Sequence, residues 1–147
     1  YFADKQRGWV VGGAGTLLST VDAGRTWTRH AEIAAVDLND VYFLDREVGL
    51  VSGDDGRVLT TRNAGATWSR IEVPATGRLL GIDFANKSFG WIAGYGGTVL
   101  RTSDGGRTWV VQETGVKANL FAVSIHKNET GFAVGADGLI VRYVGKK

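Results

Sequence analysis

A repeat of 41 residues restricts this chain to very few architectures. The strings "STVDAGRTW" (19–27), "TTRNAGATW" (60–68) and "RTSDGGRTW" (101–109) place Asp22, Asn63 and Asp104 in one column and Trp27, Trp68 and Trp109 in another. Laid out at that period without a gap, the sequence also aligns Gly8, Gly49, Gly90 and Gly131, then Gly12, Gly53, Gly94 and Gly135, then Gly15, Gly56, Gly97 and Gly138. Apolar columns run beside them: Phe2, Phe43, Phe84 and Ile125; Trp9, Leu50, Trp91 and Phe132; Leu38, Leu79 and Leu120. A fixed period between ~20 and ~50 residues marks a repeat protein. The 147 residues hold about 3.6 copies of a 41-residue unit, and the fourth copy stops short.

One unit reads as four short strands. "LNDVYFL", "EVGLVSG", "RVLTTR" and "TWSRIEV" are apolar runs separated by the punctuation "DDG" and "NAGA". Helical spacing is absent, and the glycine content, 22 of 147, would destabilise helices. Inner runs such as "GWVVG" and "GTVLRT" are apolar on both faces, as in a sheet covered on both sides. A four-stranded antiparallel unit repeated about every 40 residues is a propeller blade, and it needs neighbours to bury its faces. The expected fold is therefore all-β, with blades at about 1–34, 35–75, 76–116 and 117–147, the last lacking its outer strand.

The nonapeptide sits between the third and fourth strands of each unit. Asp22, Asn63 or Asp104 is expected to accept backbone N–H bonds and shape a tight turn, with Thr20, Thr61 or Thr102 bonding locally beside it. Gly24, Gly65 or Gly106 permits a positive φ. Trp27, Trp68 or Trp109 then opens the outer strand and covers the turn.

Composition narrows function by exclusion. The net charge of +2 comes from Lys and Arg scattered among Asp and Glu, so no concentrated basic face for nucleic acid is expected. No apolar run approaches the ~18 residues of a membrane helix. With no cysteine, disulfides and thiolate metal sites are excluded. His30 and His126 stand in different columns without ligand spacing, so neither a metal nor a cofactor site is expected. "GGAG" and "GYGG" lead into strands, which leaves a phosphate loop unsupported. "NKS" (86–88) and "NET" (128–130) match the glycosylation sequon, which matters only in a eukaryotic secretory setting. A chain that starts at Tyr1 and has no methionine is expected to be a processed form or an excised piece.

The pattern in "TVDAGRTW", "TRNAGATW" and "TSDGGRTW" resembles the Asp-box of BNR-repeat propellers, with Asn63 replacing the aspartate once. The wider unit, best seen in "IDFANKSFGWIAGYGGTVLRTSDGGRTW" (82–109), is similar to the repeat of photosystem II stability/assembly-factor-like proteins. That resemblance covers nearly the whole chain. It implies a non-enzymatic, extracytoplasmic scaffold of periplasm, thylakoid lumen or cell exterior, with a protein partner such as a membrane-protein assembly intermediate. It also implies about seven blades in a full ring. In the fourth unit Tyr143 and Gly145 stand where the box threonine and aspartate belong. Two readings follow: a homodimer or other homo-oligomer that completes a ring, or a closed four-bladed monomer.

Strand parity puts the turns between second and third strands at the same end as the links between blades. Asp54, Asp55, Arg78, Tyr95 and Lys117 are the candidate contact residues there, because binding sits on loops held by a rigid scaffold. Arg101 and Arg142 share a column on the third strand and could form a small anion-binding stripe. Asp-box propellers also include sialidases and xyloglucan-cleaving enzymes. Glycoside hydrolysis needs two carboxylates roughly 5–10 Å apart, and Asp55 and Asp137 lie two blades apart. Carbohydrate recognition or hydrolysis stays the rival class, and a propeller piece without activity of its own is the third.

Overall fold

The computed structural model describes residues 1–31, 34–127 and 130–143; Asn128 of the second sequon and Gly145 lie outside them. Those residues form four antiparallel sheets in chain order, and two 3-10 turns, Tyr95–Gly97 and Ala136–Gly138, are their only helical elements. Sheet 1 holds β1 (Gly8–Gly12), β2 (Thr16–Thr20) and β3 (Thr28–Arg29). Sheet 2 holds β4 (Leu38–Phe43), β5 (Gly49–Gly53), β6 (Val58–Thr61) and β7 (Ser69–Ile71). Sheet 3 holds β8 (Leu79–Phe84), β9 (Gly90–Gly94), β10 (Val99–Thr102) and β11 (Val110–Val111). Sheet 4 holds β12 (Leu120–Ile125), β13 (Gly131–Gly135) and β14 (Ile140–Tyr143). Each is a meander in which sequence neighbours pair, so these are four blades of a propeller, the last incomplete. At the inner edge of sheet 1 the strand expected around Phe2 is only the bridge Phe2↔Gly8, flanked by hydrogen bonds between Tyr1 and Trp9 in both directions.

The core lies between blades rather than inside them. Trp9 and Leu17 of the first blade pack on Leu38, Val41, Phe43, Val51 and Leu59 of the second. Leu50 and Val58 of the second pack on Leu79, Ile82, Phe84, Ile92, Leu100 and Trp109 of the third. Trp91, Ala93 and Val99 of the third pack on Leu120, Ile125 and Ala133 of the fourth. This explains the two-sided apolar runs: β5 and β9, flanked by neighbours on both faces, are buried at every residue, whereas β1 and β13 are buried only in part.

Polar latches cross each seam along the inner strands. The Tyr1 hydroxyl donates to Phe43 O at 2.9 Å, and the Tyr42 hydroxyl to Phe84 O at 3.5 Å. Asp40 Oδ2 accepts from Ile82 N, and Asp83 Oδ2 from Ile125 N, both at 2.8 Å. Burial raises the Asp40 pKa above its ordinary value, against the lowering effect of its bonds from Ile82 N and Val41 N.

Candidate functional site

Two rims are available, and the sequence-based candidates divide between them. At one rim the turns between second and third strands meet the inter-blade links, because backbone hydrogen bonds tie them together. Gly15 N donates to Val36 O, Asp54 N to Asp37 O, Gly56 N to Gly77 O, Tyr95 N to Arg78 O and Ala136 N to Asn119 O, all at 2.8–2.9 Å. Adjacent blades therefore share one continuous, pinned surface.

On that surface Arg78, Asp54 and Tyr95 come together. Arg78 Nε lies 2.9 Å from Asp54 Oδ2, and its guanidinium sits 5.6 Å from the Tyr95 ring centroid. Asn39 Nδ2 donates to both Asp54 Oδ1 and Leu79 O at 2.9 Å, which fixes the carboxylate. Bonding to Tyr95 and then the Asp54 charge raise the Arg78 pKa above its ordinary value. The Asp54 side chain is mostly covered while Arg78 is half exposed, so the acid anchors the arginine and the arginine and ring face outward. Asn39 was not legible as a member, because its contact with Asp54 spans 15 residues and a bulge between Leu38 and Asp40 resets its register.

Asp55 is exposed beside this cluster, at a φ of 56°. Lys117 is exposed one blade link further on and lines a cavity of about 310 Å³ with Gly96, Thr98, Gln112 and Glu113. Arg101 and Arg142 are not part of the rim. Arg101 is on β10 opposite Trp91, and Arg142 is on β14 opposite Phe132, with its guanidinium 6.0 Å from that ring. Among the described residues no group of three His, Cys, Asp or Glu is placed to hold a metal ion, and no helix is long and apolar enough to cross a membrane.

The other rim carries the three nonapeptides. Asp22 Oδ1 accepts from Thr20 Oγ1 and Thr26 N, and Oδ2 from Thr26 Oγ1 at 2.6 Å; Gly24 N donates to Thr20 Oγ1. Asp104 repeats this with Thr102, Gly106 and Thr108. Asn63 keeps the bonds from Thr61 and Thr67 N but donates its Nδ2 to Thr67 Oγ1, reversing the one bond that an amide must reverse. Thr26, Thr67 and Thr108 are thus a fifth element of the turn that the spacing of Thr, Asp, Gly and Trp did not single out. Gly24, Gly65 and Gly106 have φ of 83°, 81° and 79°. Trp27 Nε1 and Trp109 Nε1 donate to Gly24 O and Gly106 O, whereas Trp68 Nε1 is buried without a partner. Each tryptophan meets the phenylalanine of its own blade edge-on: Trp27 with Phe2, Trp68 with Phe43, Trp109 with Phe84, at 6.1–6.2 Å.

These local bonds hold the turn carboxylates ionised. The Thr26 hydroxyl and N–H lower Asp22 from 3.8 to about 2. At Asp104 burial pulls upward, but the Thr108 hydroxyl, its N–H and Thr102 outweigh it, again giving about 2. A carboxylate depressed in the folded state stabilises it above the unfolded pKa and loses that contribution as pH falls through the folded one. The urea midpoint should therefore fall between pH 4 and pH 2. Asp22→Asn with Asp104→Asn should shrink that fall without unfolding the chain at pH 7, since Asn63 already builds the turn with an amide. An unchanged acid slope in the double variant would count against this origin.

Similarity to known proteins adds to this geometry. YCF48 bound to D1 peptide superimposes with a TM-score of 0.80 at 23% identity, over 99% of this chain and 49% of that one. YCF48 from Cyanidioschyzon merolae gives 0.76 at 22%, over 100% and 52%. The WD40 β-propeller domain of Doa1 gives 0.80 at 11%, over 97% and 48%. An ancestral GH74 enzyme gives 0.74 at 12%, over 95% and 22%. These likenesses establish the propeller fold, and the chain spans about half the length of the YCF48 structures it matches. No curated protein matches the sequence. A family does: its pattern aligns with residues 1–62 and again with 60–117. On that match, the chain belongs to the family described as Photosynthesis system II assembly factor YCF48.

Proposed function

We propose that this chain is a non-catalytic propeller scaffold that binds a protein segment during assembly of a larger complex. The observation that carries this reading is the rim cluster, where Asp54 and Asn39 hold Arg78 beside the exposed Tyr95 ring. A guanidinium fixed by a covered carboxylate, next to an aromatic face, suits a carboxylate or an aromatic group of an extended peptide. Asp55 and Lys117 extend the same surface, while Arg101 and Arg142 form a separate anion-binding stripe. The YCF48 relative bound to D1 peptide supports a peptide ligand. The scaffold works outside the cytoplasm, in a periplasm, thylakoid lumen or secreted setting, and a second copy of the chain completes its ring.

The test is a titration with the D1 peptide, followed by tryptophan fluorescence. Arg78→Ala and Tyr95→Ala should each weaken binding roughly tenfold, and Asp22→Asn on the other rim should leave it unchanged. Equal affinity in all three proteins would refute the rim assignment. Turnover of a sialoside or xyloglucan by the purified chain would refute the non-catalytic reading in favour of the glycosidase class to which the GH74 likeness points.

A further inference from the structure

The nonapeptide rim holds a cleft of about 200 Å³ at the seam between the second and third blades, lined among others by Asp45, Arg62, Lys87, Ser88, Asp104 and Arg107. Both flanking blades have all four strands, so two whole sheets shape it. Three separate turns each supply one cation: Arg62 from the second nonapeptide, Arg107 from the third, and Lys87 from the turn between β8 and β9. Main-chain bonds fix the walls, because Ala64 N donates to Glu47 O at 2.9 Å and Gly105 N to Ser88 O at 3.0 Å.

The first seam, one period earlier, is a built-in comparison. It has Val21 and Ala66 where the cleft has Arg62 and Arg107, and Glu47 where the cleft has Ser88. In that seam Arg7 and Arg46 both reach Asp4, at 3.1 and 3.5 Å. In the second seam Val48 takes the place of Arg7, and Lys87 alone meets Asp45, at 2.8 Å. The cleft thus sets three cations against Asp45 and Asp104, and both carboxylates are already engaged. Asp45 also accepts from Glu47 N and Val48 N. Asp104 accepts from the Thr102 and Thr108 hydroxyls and from Arg107 N and Thr108 N. Arg62 and Arg107 are exposed, and among the described residues neither guanidinium is within ion-pair distance of a carboxylate. Arg107 Nη1 donates only to the main-chain Asp104 O, at 3.3 Å.

We propose that this cleft is a binding subsite for a phosphate-type oxyanion, free or as the terminal group of a small phosphomonoester. Guanidinium groups hold such anions through parallel N–H donors, and a lysine adds a point charge. Cations from three turns suit a tetrahedral group with charge on three oxygens better than a planar carboxylate. Lys87 is 72% exposed, and a surface ion pair such as Lys87–Asp45 stabilises little, so its ammonium is shared readily with a bound anion. The site lies on the rim opposite the Arg78 cluster and does not depend on the peptide-binding reading given for that cluster.

The test is a phosphorus NMR titration of inorganic phosphate and of glycerol phosphate with the 147-residue chain, at ionic strength held constant with sodium chloride. Saturable binding of one phosphate per chain is expected. Arg62→Val and Arg107→Ala install the residues the first seam carries at those positions, so each should keep its far-ultraviolet circular dichroism. Each should weaken binding roughly tenfold, the loss expected for one charged hydrogen-bonding partner. Arg29→Gln, which removes an exposed charge on β3, should leave binding unchanged. Saturation by either probe with this pattern of variants supports the subsite, and the tighter probe names the source of the anion. No saturation by either probe, or equal losses in Arg29→Gln, would overturn it. Competition by acetate at concentrations equal to phosphate would overturn the tetrahedral assignment.

Discussion

Gly97→Ala should cost about 3 kcal/mol or more of folding free energy, whereas Gly96→Ala next to it should cost about 1. Both glycines have positive φ, 73° and 68°, so backbone strain alone predicts similar costs. Space separates them. A Cβ on Gly97 would stand 1.9 Å from Val116 O, a backbone atom of the blade link, while a Cβ on Gly96 meets nothing within 4 Å. The repeat contains its own control. The Gly96 column holds Ala14, Asp55 and Asp137, at φ of 51°, 56° and 56°, so a side chain is accommodated there. The Gly97 column holds Gly15, Gly56 and Gly138 and no other residue type. Urea unfolding of the two variants, with midpoints compared at equal slope, checks the difference. Similar midpoints would show that the link yields, and would weaken the picture of a pinned rim.

Trp9→Ala is the second large effect, about 3–5 kcal/mol. Trp9 is 2% exposed, stacks on Phe43 of the next blade, and lines the seam with Leu38 and Val51. Truncation opens a cavity between blades, where only the neighbouring sheet could relax into it. Trp9→Phe should cost less, because it keeps a ring on Phe43 and removes the indole N–H, which is buried without a partner. Trp27→Ala should cost less again, since Trp27 is 38% exposed and meets the half-exposed Phe2 of its own blade instead of packing in a buried seam. Chemical denaturation of the three variants gives the ranking.

That contrast shows what the sequence could and could not convey. The period, the inner strands around "GLVSG" and "GWIAG", and the turns ending in tryptophan were all readable, because each depends on local chemistry written once per unit. Exposure was not readable. Trp27, Trp68 and Trp109 are the same residue in the same turn, yet only Trp109 is fully buried, since burial depends on which blade stands in front. The rim residues Asp54, Arg78 and Tyr95 were placed at one end by strand parity. Their mutual contact needed coordinates, because it joins two blades across 24 residues and relies on Asn39. The latches of Asp40 and Asp83 escaped the column analysis for a different reason. They serve the same purpose from positions 43 apart, and the bulges after Leu38 and Leu79 break the registers around them.

The claim beneath all of this is that successive 41-residue units are held together by packing across their seams. A double-mutant cycle on Trp9→Leu and Phe43→Leu, read by urea unfolding, measures it most directly. A coupling of about 0.5–1.5 kcal/mol between the two positions is expected. Additivity within about 0.3 kcal/mol would mean that the rings do not support each other, and would contradict the seam as the source of the fold's stability.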